Sequence, residues 1–368
     1  MDLAFLHPLY EHSGPWASVY VDTSRHTEST PHERSLTAQA VSRELAAQGA
    51  DRATCEAVHA AVDELRHSTE PHGRAFFAAH GEVVLAPSLA APPPGTEVFW
   101  GPLPRTAPLV ELAGEDPLCL VAYIDRRGAD FELRSALGSE EAGSVTGDQY
   151  PVHRTRSADW SEKHFQLKVE NTWEKNAEDV ARALAACQED SRADLLVLVG
   201  DARERHAVRE HLPKALHDRT VEETRGSGSR LLDDDVERIR AEHVRLRTTD
   251  ELDRFLAARS PDDEGRKGAA EGVPALVEAA LEHRIDELLL CLDGPDAHRE
   301  VWIGPDPDQI AVRRSDAAVL GERDPVSARA DDALMRSAVM TDAPAISVAG
   351  VTSDEVPAGG LGALLRWK

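Results

Sequence analysis

The sequence predicts a mixed α/β fold spread over two or three domains, and three observations support this prediction. The chain has 368 residues, whereas a single domain typically has roughly 150. Hydrophobic residues make up 41% and charged residues 29%, a balance that is typical of globular proteins with buried cores. Short apolar runs alternate with longer segments whose apolar residues recur every three or four positions, so strands are expected to alternate with helices.

The first third of the chain has the composition of an α+β domain that ends in proline-rich segments. Strands are predicted where β-branched and aromatic residues cluster between turn residues, and helices where the apolar spacing is helical. The predicted elements are a strand over Ser18–Asp22, a polar loop over Thr23–His32, helices near 33–48 and 51–66, a hairpin of Phe76–Ala79 and Glu82–Ala86, and irregular segments at 91–95 and 101–104.

The middle third has the helix–strand–helix order of an α/β domain. Its strongest strand signal is the continuous apolar run before Gly200, which is typical of a buried parallel strand. The predicted elements are a hairpin of Leu118–Asp125 and Ala129–Arg134, a glycine-rich loop over Gly138–Gly147, a long helix, a strand over Asp194–Gly200, a further helix, an edge strand over Thr220–Glu223, a flexible segment at Gly226–Ser229 and a helix over Asp233–Ala258.

The last third predicts a second α/β block after a linker. Ser260–Gly268 is rich in charged residues and glycine, as linkers are. The elements expected after it are a helix near 271–284, a strand near 287–292, a hydrophobic segment at Glu300–Ile303, a helix over 330–341, and strands at Ala345–Ala349 and Leu361–Trp367.

The long helix of the middle block has a well-defined start and face. Asp159 followed by Glu162 resembles a capping box, so the helix is expected to begin at Trp160 or Ser161. Its apolar stripe consists of Phe165, Val169, Trp173, Ala177, Val180, Leu184 and Cys187. Polar residues such as Lys168 and Lys175 fall off this stripe, and the simplest interpretation of them is a solvated helix face.

A basic segment precedes this helix in an otherwise acidic protein. The formal net charge of the chain is −25, yet residues 152–168 hold four arginines and lysines against two carboxylates. The overall charge argues against indiscriminate binding of DNA or RNA. Screening over about 8 Å lets a local charge act independently of a distant acidic body. The reversal of sign therefore indicates a place where the protein meets an anionic partner.

Other chemical signatures are weak, so neither a cofactor nor a metal site is predicted. Asp22 ends a strand but lacks the second aspartate of aspartyl phosphatases, and Asp201 is best interpreted as a helix cap. Nucleotide-binding glycine motifs, zinc-protease histidine motifs and nucleophile elbows do not occur in the sequence. The four cysteines are widely spaced, which favours free thiols in a cytoplasmic protein, and neither a secretory signal nor a membrane-spanning run is apparent.

Several segments, taken in order, resemble the bacterial relatives of archaeal and eukaryotic class-one release factors. The middle-domain likeness lies in Val121–Leu133, the basic segment, the long helix and Asp194–Asp201. Further likeness lies in Ser18–Arg25 (SVYVDTSR), Leu103–Leu109 (LPRTAPL), Arg329–Val339 (RADDALMRSAV) and Gly359–Trp367 (GGLGALLRW). Within that family the sequence is most similar to the Balon-like ribosome hibernation factors and their actinobacterial counterparts.

The resemblance implies three consecutive domains, over residues 1–113, 114–258 and 259–368. The first would lie near the decoding centre, and the basic loop over 148–160 would extend from the middle domain to the peptidyl transferase centre. Release factors carry Gly-Gly-Gln on that loop, but the three places fall here on Ala158, Asp159 and Trp160. A carboxylate has the wrong sign to stabilise an oxyanion, so release chemistry is not expected.

The expected function is therefore that of a non-hydrolytic factor that occupies the A site of idle or stalled ribosomes, in hibernation or another stress response that silences translation. Arginines would contact rRNA phosphates, whereas Trp160 and His164 would stack or form hydrogen bonds near the peptidyl transferase centre. Elongation factor Tu is a possible companion by the same resemblance, while DNA and membranes are not expected partners. The predicted ribosome-contact residues are Arg154, Arg156, Asp159, Trp160, Lys163, His164, Gln166 and Lys168, with Arg25, His26, His32 and Arg34 as a second, small-subunit set.

Two alternatives stay open at this point. A peptidyl-tRNA hydrolase or a ribosome-rescue nuclease on the same scaffold would depend on Asp159 or His164. A stress-associated interaction protein would not contact the ribosome at all.

Overall fold

A computed structural model of the chain describes residues 1–23, 31–65, 73–113, 116–136, 138–146, 160–223, 231, 233–261, 264–321, 323–350 and 355–367. Within the helices, the side chains of residues 31–34 and 160–173 are outside this description. The chain divides into two compact units. The first unit comprises residues 1–115 and 246–368, and the second comprises residues 116–245.

The N-terminal part of the first unit is an antiparallel sheet with helices packed on it. Its elements are α1 (His7–Tyr10), β1 (Trp16–Asp22), α2 (Pro31–Ala47), α3 (Arg52–Asp63), β2 (Gly73–Ala79), β3 (Glu82–Leu85), β4 (Ser88–Leu89), β5 (Glu97–Gly101) and α4 (Ala107–Leu112). The strand order is β3-β2-β1-β5, and β4 also pairs with β2. Alternate residues of β1 serve two cores: Trp16 and Tyr20 face one, while Val19 and Val21 face the core beneath α2 and α3.

The strand, helix and hairpin predictions for this part are confirmed, but β5 and α4 were not predicted. Both lie among prolines, which favour irregular structure in sequence patterns. β5 is stabilised by antiparallel pairing with β1, a contact between residues more than 75 positions apart that no local pattern reveals. α4 begins with proline in its first turn, where the missing N–H costs no hydrogen bond.

The second unit is a five-stranded mixed sheet with helices on both faces. Its elements are β6 (Cys119–Asp125), β7 (Gly128–Ser135), β8 (Gly138–Thr146), α5 (Trp160–Ser191), β9 (Leu195–Val199), α6 (Ala202–His211), β10 (Thr220–Glu223) and α7 (Asp233–Arg259), whose last part belongs to the first unit. The strand order is β10-β9-β6-β7-β8, with β9 parallel to β6 and β10. The predicted buried parallel strand, edge strand and long helix are confirmed.

The prediction of a glycine-rich loop over Gly138–Gly147 is wrong, because this segment forms β8. The strand pairs along nearly its whole length with β7 and has one register shift. Most of its residues are exposed or half-buried, and it has few large apolar side chains. Backbone pairing with β7, rather than side-chain burial, stabilises this edge strand, so its hydrophobic signal is weak.

The two faces of the second sheet have different cores because alternate residues of β6 point to opposite sides. Leu120 and Ile124 pack with α5 and α6. Cys119 and Val121 pack with the beginning of α7, including Val236. Helix α5 is therefore fixed to the sheet through its second half.

The C-terminal part of the first unit contains two small sheets. Its elements are β11 (Ala269–Glu271), α8 (Val273–Leu281), β12 (Ile285–Leu290), β13 (Glu300–Ile303), β14 (Ile310–Ala311), α9 (Arg314–Val319), β15 (Val326–Arg329), α10 (Ala330–Met340), β16 (Ala345–Ser347) and β17 (Leu361–Leu365). The strand orders are β11-β17-β12-β16 and β14-β13-β15. The longer elements were predicted, whereas β11, β14, β15 and α9 are too short to produce a periodic signal.

The cysteines and helices bear on two further predictions. All four cysteines are free thiols, as predicted: Cys55 and Cys119 are buried, and Cys187 and Cys291 are half-buried. None of the helices in the described ranges combines the length and apolar character that crossing a bilayer requires.

Candidate functional site

The predicted contact residues lie outside the part of the molecule whose side chains are described. The backbone places one group on the first half of α5 and another on the first turn of α2, but gives no side-chain contacts for either. Those on α5 are Trp160, Lys163, His164, Gln166 and Lys168; those on α2 are His32 and Arg34; and Arg25, His26, Arg154, Arg156 and Asp159 lie wholly outside the described residues. Their constellation therefore stays a prediction.

The structure does describe how α5 is held behind this group. The helix begins at Trp160, as the capping pattern predicts. Ala177, Val180 and Leu184 are buried against the sheet, which confirms the second half of the predicted apolar stripe. At 1.5 Å per residue, the start of α5 lies roughly 24 Å along the helix axis from the buried Asn176. The second half of α5 is therefore held in place by the sheet.

A cavity of about 300 Å³ lies beside the carboxyl end of β6, between α5 and α6. In open α/β sheets this end of the strands is where ligands most often bind. Its apolar wall is formed by Ile124, Ala177, Val180, Ala207 and Val208, and its polar rim by Asp125, Arg126, Glu174, Asn176, Arg203 and Glu204.

Hydrogen bonds and ion pairs order this rim. The Asn176 side-chain amide donates to the backbone carbonyl of Arg126 at 3.3 Å, which ties α5 to the β6–β7 turn. The Arg126 guanidinium lies 3.3 Å from the Glu204 carboxylate on α6. The Glu174 carboxylate lies 3.0 Å from the His211 imidazole. These contacts join β6, α5 and α6 at one corner of the second unit.

The turn from β9 into α6 also depends on a particular residue. Gly200 has a positive φ of 155°, and a Cβ there would lie 2.5 Å from the backbone oxygen of Ile124. Asp201 follows at the N-cap position of α6, as predicted, but its side chain makes no capping hydrogen bond. Glycine is therefore required for the close approach of this turn to β6.

The lining of this cavity combines charged and apolar groups. Its described residues offer two guanidinium groups, three carboxylates and one amide beside apolar side chains. Elsewhere in the described ranges, no three histidine, cysteine or acidic side chains come together as a metal-binding group.

A second site joins two of the segments that carry the family resemblance, Leu103–Leu109 and Arg329–Val339. Arg105, in the segment Leu103–Leu109, lies against the paired acids at the start of α10. Its Nη1 donates to Asp331 Oδ2 at 2.7 Å and to Asp332 Oδ1 at 3.1 Å, and all three side chains are at least nine-tenths buried. Arg329 adds a second guanidinium, donating to Asp331 at 2.9 Å. The four residues form an ion cluster between the N-terminal and C-terminal parts of the first unit, with Arg105, Asp331 and Asp332 buried and Arg329 half-buried.

Burial changes the acidity of this cluster. It raises the pKa of Asp332 from 3.8 to about 7, and the neighbouring Asp331 carboxylate adds to the rise while Arg105 opposes it. Tyr20 donates a hydrogen bond from its hydroxyl to the backbone oxygen of Arg105 at 2.5 Å. The sequence contained one signal for this cluster, because two adjacent aspartates in an apolar helix require a cation when buried. Nothing local identifies that cation as Arg105.

Comparison with known proteins gives a family for the middle of the chain. A family model described as "Bacterial archaeo-eukaryotic release factor family 2" matches residues 118–261. This segment contains the whole second unit except its first two residues, and it extends to the end of α7.

Individual proteins resemble the chain over more of its length. Uncharacterized proteins from two strains of Mycobacterium tuberculosis are 27% identical over 359 residues, which cover 96% of this chain and 94% of theirs. An archaeal translation termination factor, aRF1, is 16% identical with a TM-score of 0.24, covering 99% of this chain and 96% of its own. Dom34 of S. cerevisiae, a translation termination-like factor, is 11% identical with a TM-score of 0.40, covering 80% and 73%.

Proposed function

This chain belongs to the bacterial archaeo-eukaryotic release factor family through its residues 118–261, and we propose that it is a translation factor that binds the ribosome without hydrolysing a nascent chain. Its specific role is to occupy the A site of idle or stalled ribosomes. The observation that carries the proposal is the basic segment 152–168, which leads into a helix anchored on the sheet of the second unit.

Charge supports rRNA as the ligand of this segment. The body of the protein is acidic, with a formal net charge of −25, so nonspecific attraction to RNA is weak. The local excess of arginine and lysine in residues 152–168 favours phosphate contacts at this segment over the rest of the acidic surface. Trp160 supplies a flat apolar surface on which an unpaired base can stack, worth about 1–3 kcal/mol.

The same segment supports binding without hydrolysis. Gly-Gly-Gln is absent from the sequence, and Asp159 stands at the middle one of the three corresponding positions. A negative charge beside the scissile ester opposes the charge that develops on its oxygen in the transition state. We therefore propose that the protein blocks the site rather than acting as a peptidyl-tRNA hydrolase.

Ribosome binding is tested by sedimentation of the purified chain with vacant ribosomes over a series of salt concentrations. With about three or four phosphate contacts, the slope of log affinity against log salt is expected to be roughly −2 to −3. Arg154→Glu with Arg156→Glu should weaken binding and flatten this slope. The matched control is Lys214→Glu with Arg219→Glu, which reverses two exposed cations of the same unit and should leave binding unchanged. Binding that ignores both salt and the first variant would refute the role of the basic segment.

Catalysis is tested separately on ribosomes that carry labelled peptidyl-tRNA. We expect neither released peptide nor cleaved tRNA at protein concentrations that saturate binding. Product formation that Asp159→Asn or His164→Ala abolishes would instead establish a hydrolase or nuclease. Addition of elongation factor Tu to the sedimentation assay tests the proposed companion, which should co-sediment with the chain on the ribosome.

A further inference from the structure

We propose that a groove in the first unit, between the edge strands β5 and β15, binds an extended segment of a partner protein by β-strand addition. Two cavities of about 780 and 290 Å³ form this groove. They adjoin one another, because both are lined by Trp100, Gly101, Pro102 and Leu103. This inference does not rest on the proposed ribosome binding.

One wall of the groove is the outer edge of β5. Here the side chain of Gln48 forms hydrogen bonds to backbone groups with which a neighbouring strand would otherwise pair. β5 is the last strand of its sheet and pairs with β1 on its inner side. On the outer side, the Gln48 carboxamide donates to the Val98 carbonyl at 3.0 Å and accepts from the Trp100 N–H at 2.9 Å. An added antiparallel strand would make the same pair of bonds through the two peptide groups that flank one of its residues. Gln48 is exposed, so a peptide can displace it without disturbing a core.

The second wall is β15, which is also an edge strand. It pairs with β13, and in the described part of the chain with no other strand. The ladder continues through the Ala330 N–H, which donates to the Arg299 carbonyl at 2.8 Å. Because backbone groups alternate in direction along a strand, the N–H and C=O of Ser327 then point away from β13. Ser327 is one of the residues that line the smaller cavity, so this edge of β15 borders the groove.

The larger cavity provides space for an apolar side chain beside this backbone pairing. Aromatic and proline residues form part of its lining, including Tyr10, Trp16, Trp100, Pro102 and Pro305. Val326 of β15 also lines it and is 50% exposed. A β-branched apolar residue that is half exposed on an edge strand favours pairing with another chain.

These features together identify the class of occupant. The Gln48 carboxamide occupies a C=O and an N–H on the edge of β5 that a neighbouring strand would otherwise use. The backbone of an extended peptide replaces it most directly, and not a nucleotide or a lipid. The apolar cavity then requires a large apolar side chain on the same segment. The proposed partner is therefore a protein that presents an extended segment with a leucine, phenylalanine or tryptophan at its centre.

The test uses a random peptide library displayed on phage, selected against the full-length chain. The most enriched peptide is synthesised, and its affinity is measured by fluorescence anisotropy. Val326→Glu in the groove should weaken binding about tenfold or more, because it places a charge against the apolar side chain. The matched control is Val319→Glu, which alters an exposed valine that does not line either cavity and should have no effect.

Two further variants test strand addition itself. Ser327→Pro removes an outward N–H without removing a backbone hydrogen bond to β13, and its circular dichroism should stay unchanged. Its binding should be about tenfold weaker than that of Ser327→Ala, which also lacks the hydroxyl that donates to Glu300 but keeps the N–H. Gln48→Ala exposes the Val98 carbonyl and the Trp100 N–H and should strengthen binding. Failure to enrich any peptide, or equal binding to Val326→Glu, Ser327→Pro and the unaltered chain, would overturn the proposal. Dimerisation of the chain that Val326→Glu abolishes would also overturn it, because the occupant would then be a second copy.

Discussion

Replacement of Arg105 by methionine should strongly destabilise the first unit. The substitution keeps an unbranched side chain of similar length but removes the cation from the buried cluster. Asp331 is completely buried and Asp332 almost so, and both accept hydrogen bonds from Arg105 Nη1. Loss of Arg105 thus leaves two adjacent carboxyl groups in a region that water does not reach.

The magnitude follows from the partners that survive. Removal of one member of a buried ion pair typically costs about 3–5 kcal/mol, because the other member stays buried without its counter-charge. Two features of this cluster reduce the cost. Arg329 still donates to Asp331 at 2.9 Å, and Asp332 can accept a proton because burial raises its pKa to about 7. We therefore expect a loss near the lower end, about 3 kcal/mol, at pH 7.

The assay is urea denaturation followed by tryptophan fluorescence. Trp16, Trp100 and Trp302 belong to the first unit, so its unfolding contributes strongly to the signal. The matched control is Arg52→Met, which removes an exposed helical ion pair with Glu56 in the same unit and should leave stability almost unchanged. A change for Arg105→Met no larger than that of the control would refute the view that this cluster holds the unit together.

Three other predictions concern single positions. The pKa of Asp332 is about 7 in the folded chain and its ordinary value is 3.8, so its contribution to stability is fully present below pH 4 and is lost as the pH rises through 7. In Asp332→Asn, chemical denaturation between pH 4 and pH 7 should show a smaller decline in the free energy of unfolding than in the unaltered chain. Leu184→Ala creates a cavity at a fully buried position of α5 and should cost about 2–5 kcal/mol in urea denaturation followed by circular dichroism, and a cost below 1 kcal/mol would contradict the anchoring of α5. Gly200→Ala places a methyl group 2.5 Å from the Ile124 oxygen and should lower the melting temperature more than Gly265→Ala, where φ is also positive but nothing lies within 4 Å; equal shifts would count against the close approach.

The sequence predicted the elements whose signal is local. The strand before Gly200 was found from its continuous apolar run, and the hairpin around Gly81 from two short strand-like segments on either side of a turn residue. The start of α5 at Trp160 was found from the capping residues alone. These features depend on neighbours within about four residues, which a single sequence contains.

Features that depend on distant contacts were missed. β5 is defined by its pairing with β1, more than 75 positions away. β8 was missed for another reason: it forms a hairpin with the neighbouring β7 but has few apolar residues. The Arg105 cluster joins residues 226 positions apart, and the Gln48 contact with β5 joins residues about 50 apart. The spacing of apolar and polar residues along the chain gives no information about such contacts. The predicted basic site, in contrast, rests on charge and resemblance, and it stays a prediction.

Cryo-electron microscopy of vacant ribosomes incubated with the purified chain tests the central claim most directly. The claim predicts density for the second unit in the A site of the large subunit, with the start of α5 and Trp160 against rRNA at the peptidyl transferase centre. Ribosomes without bound chain, or a chain bound with the start of α5 directed away from rRNA, would contradict it.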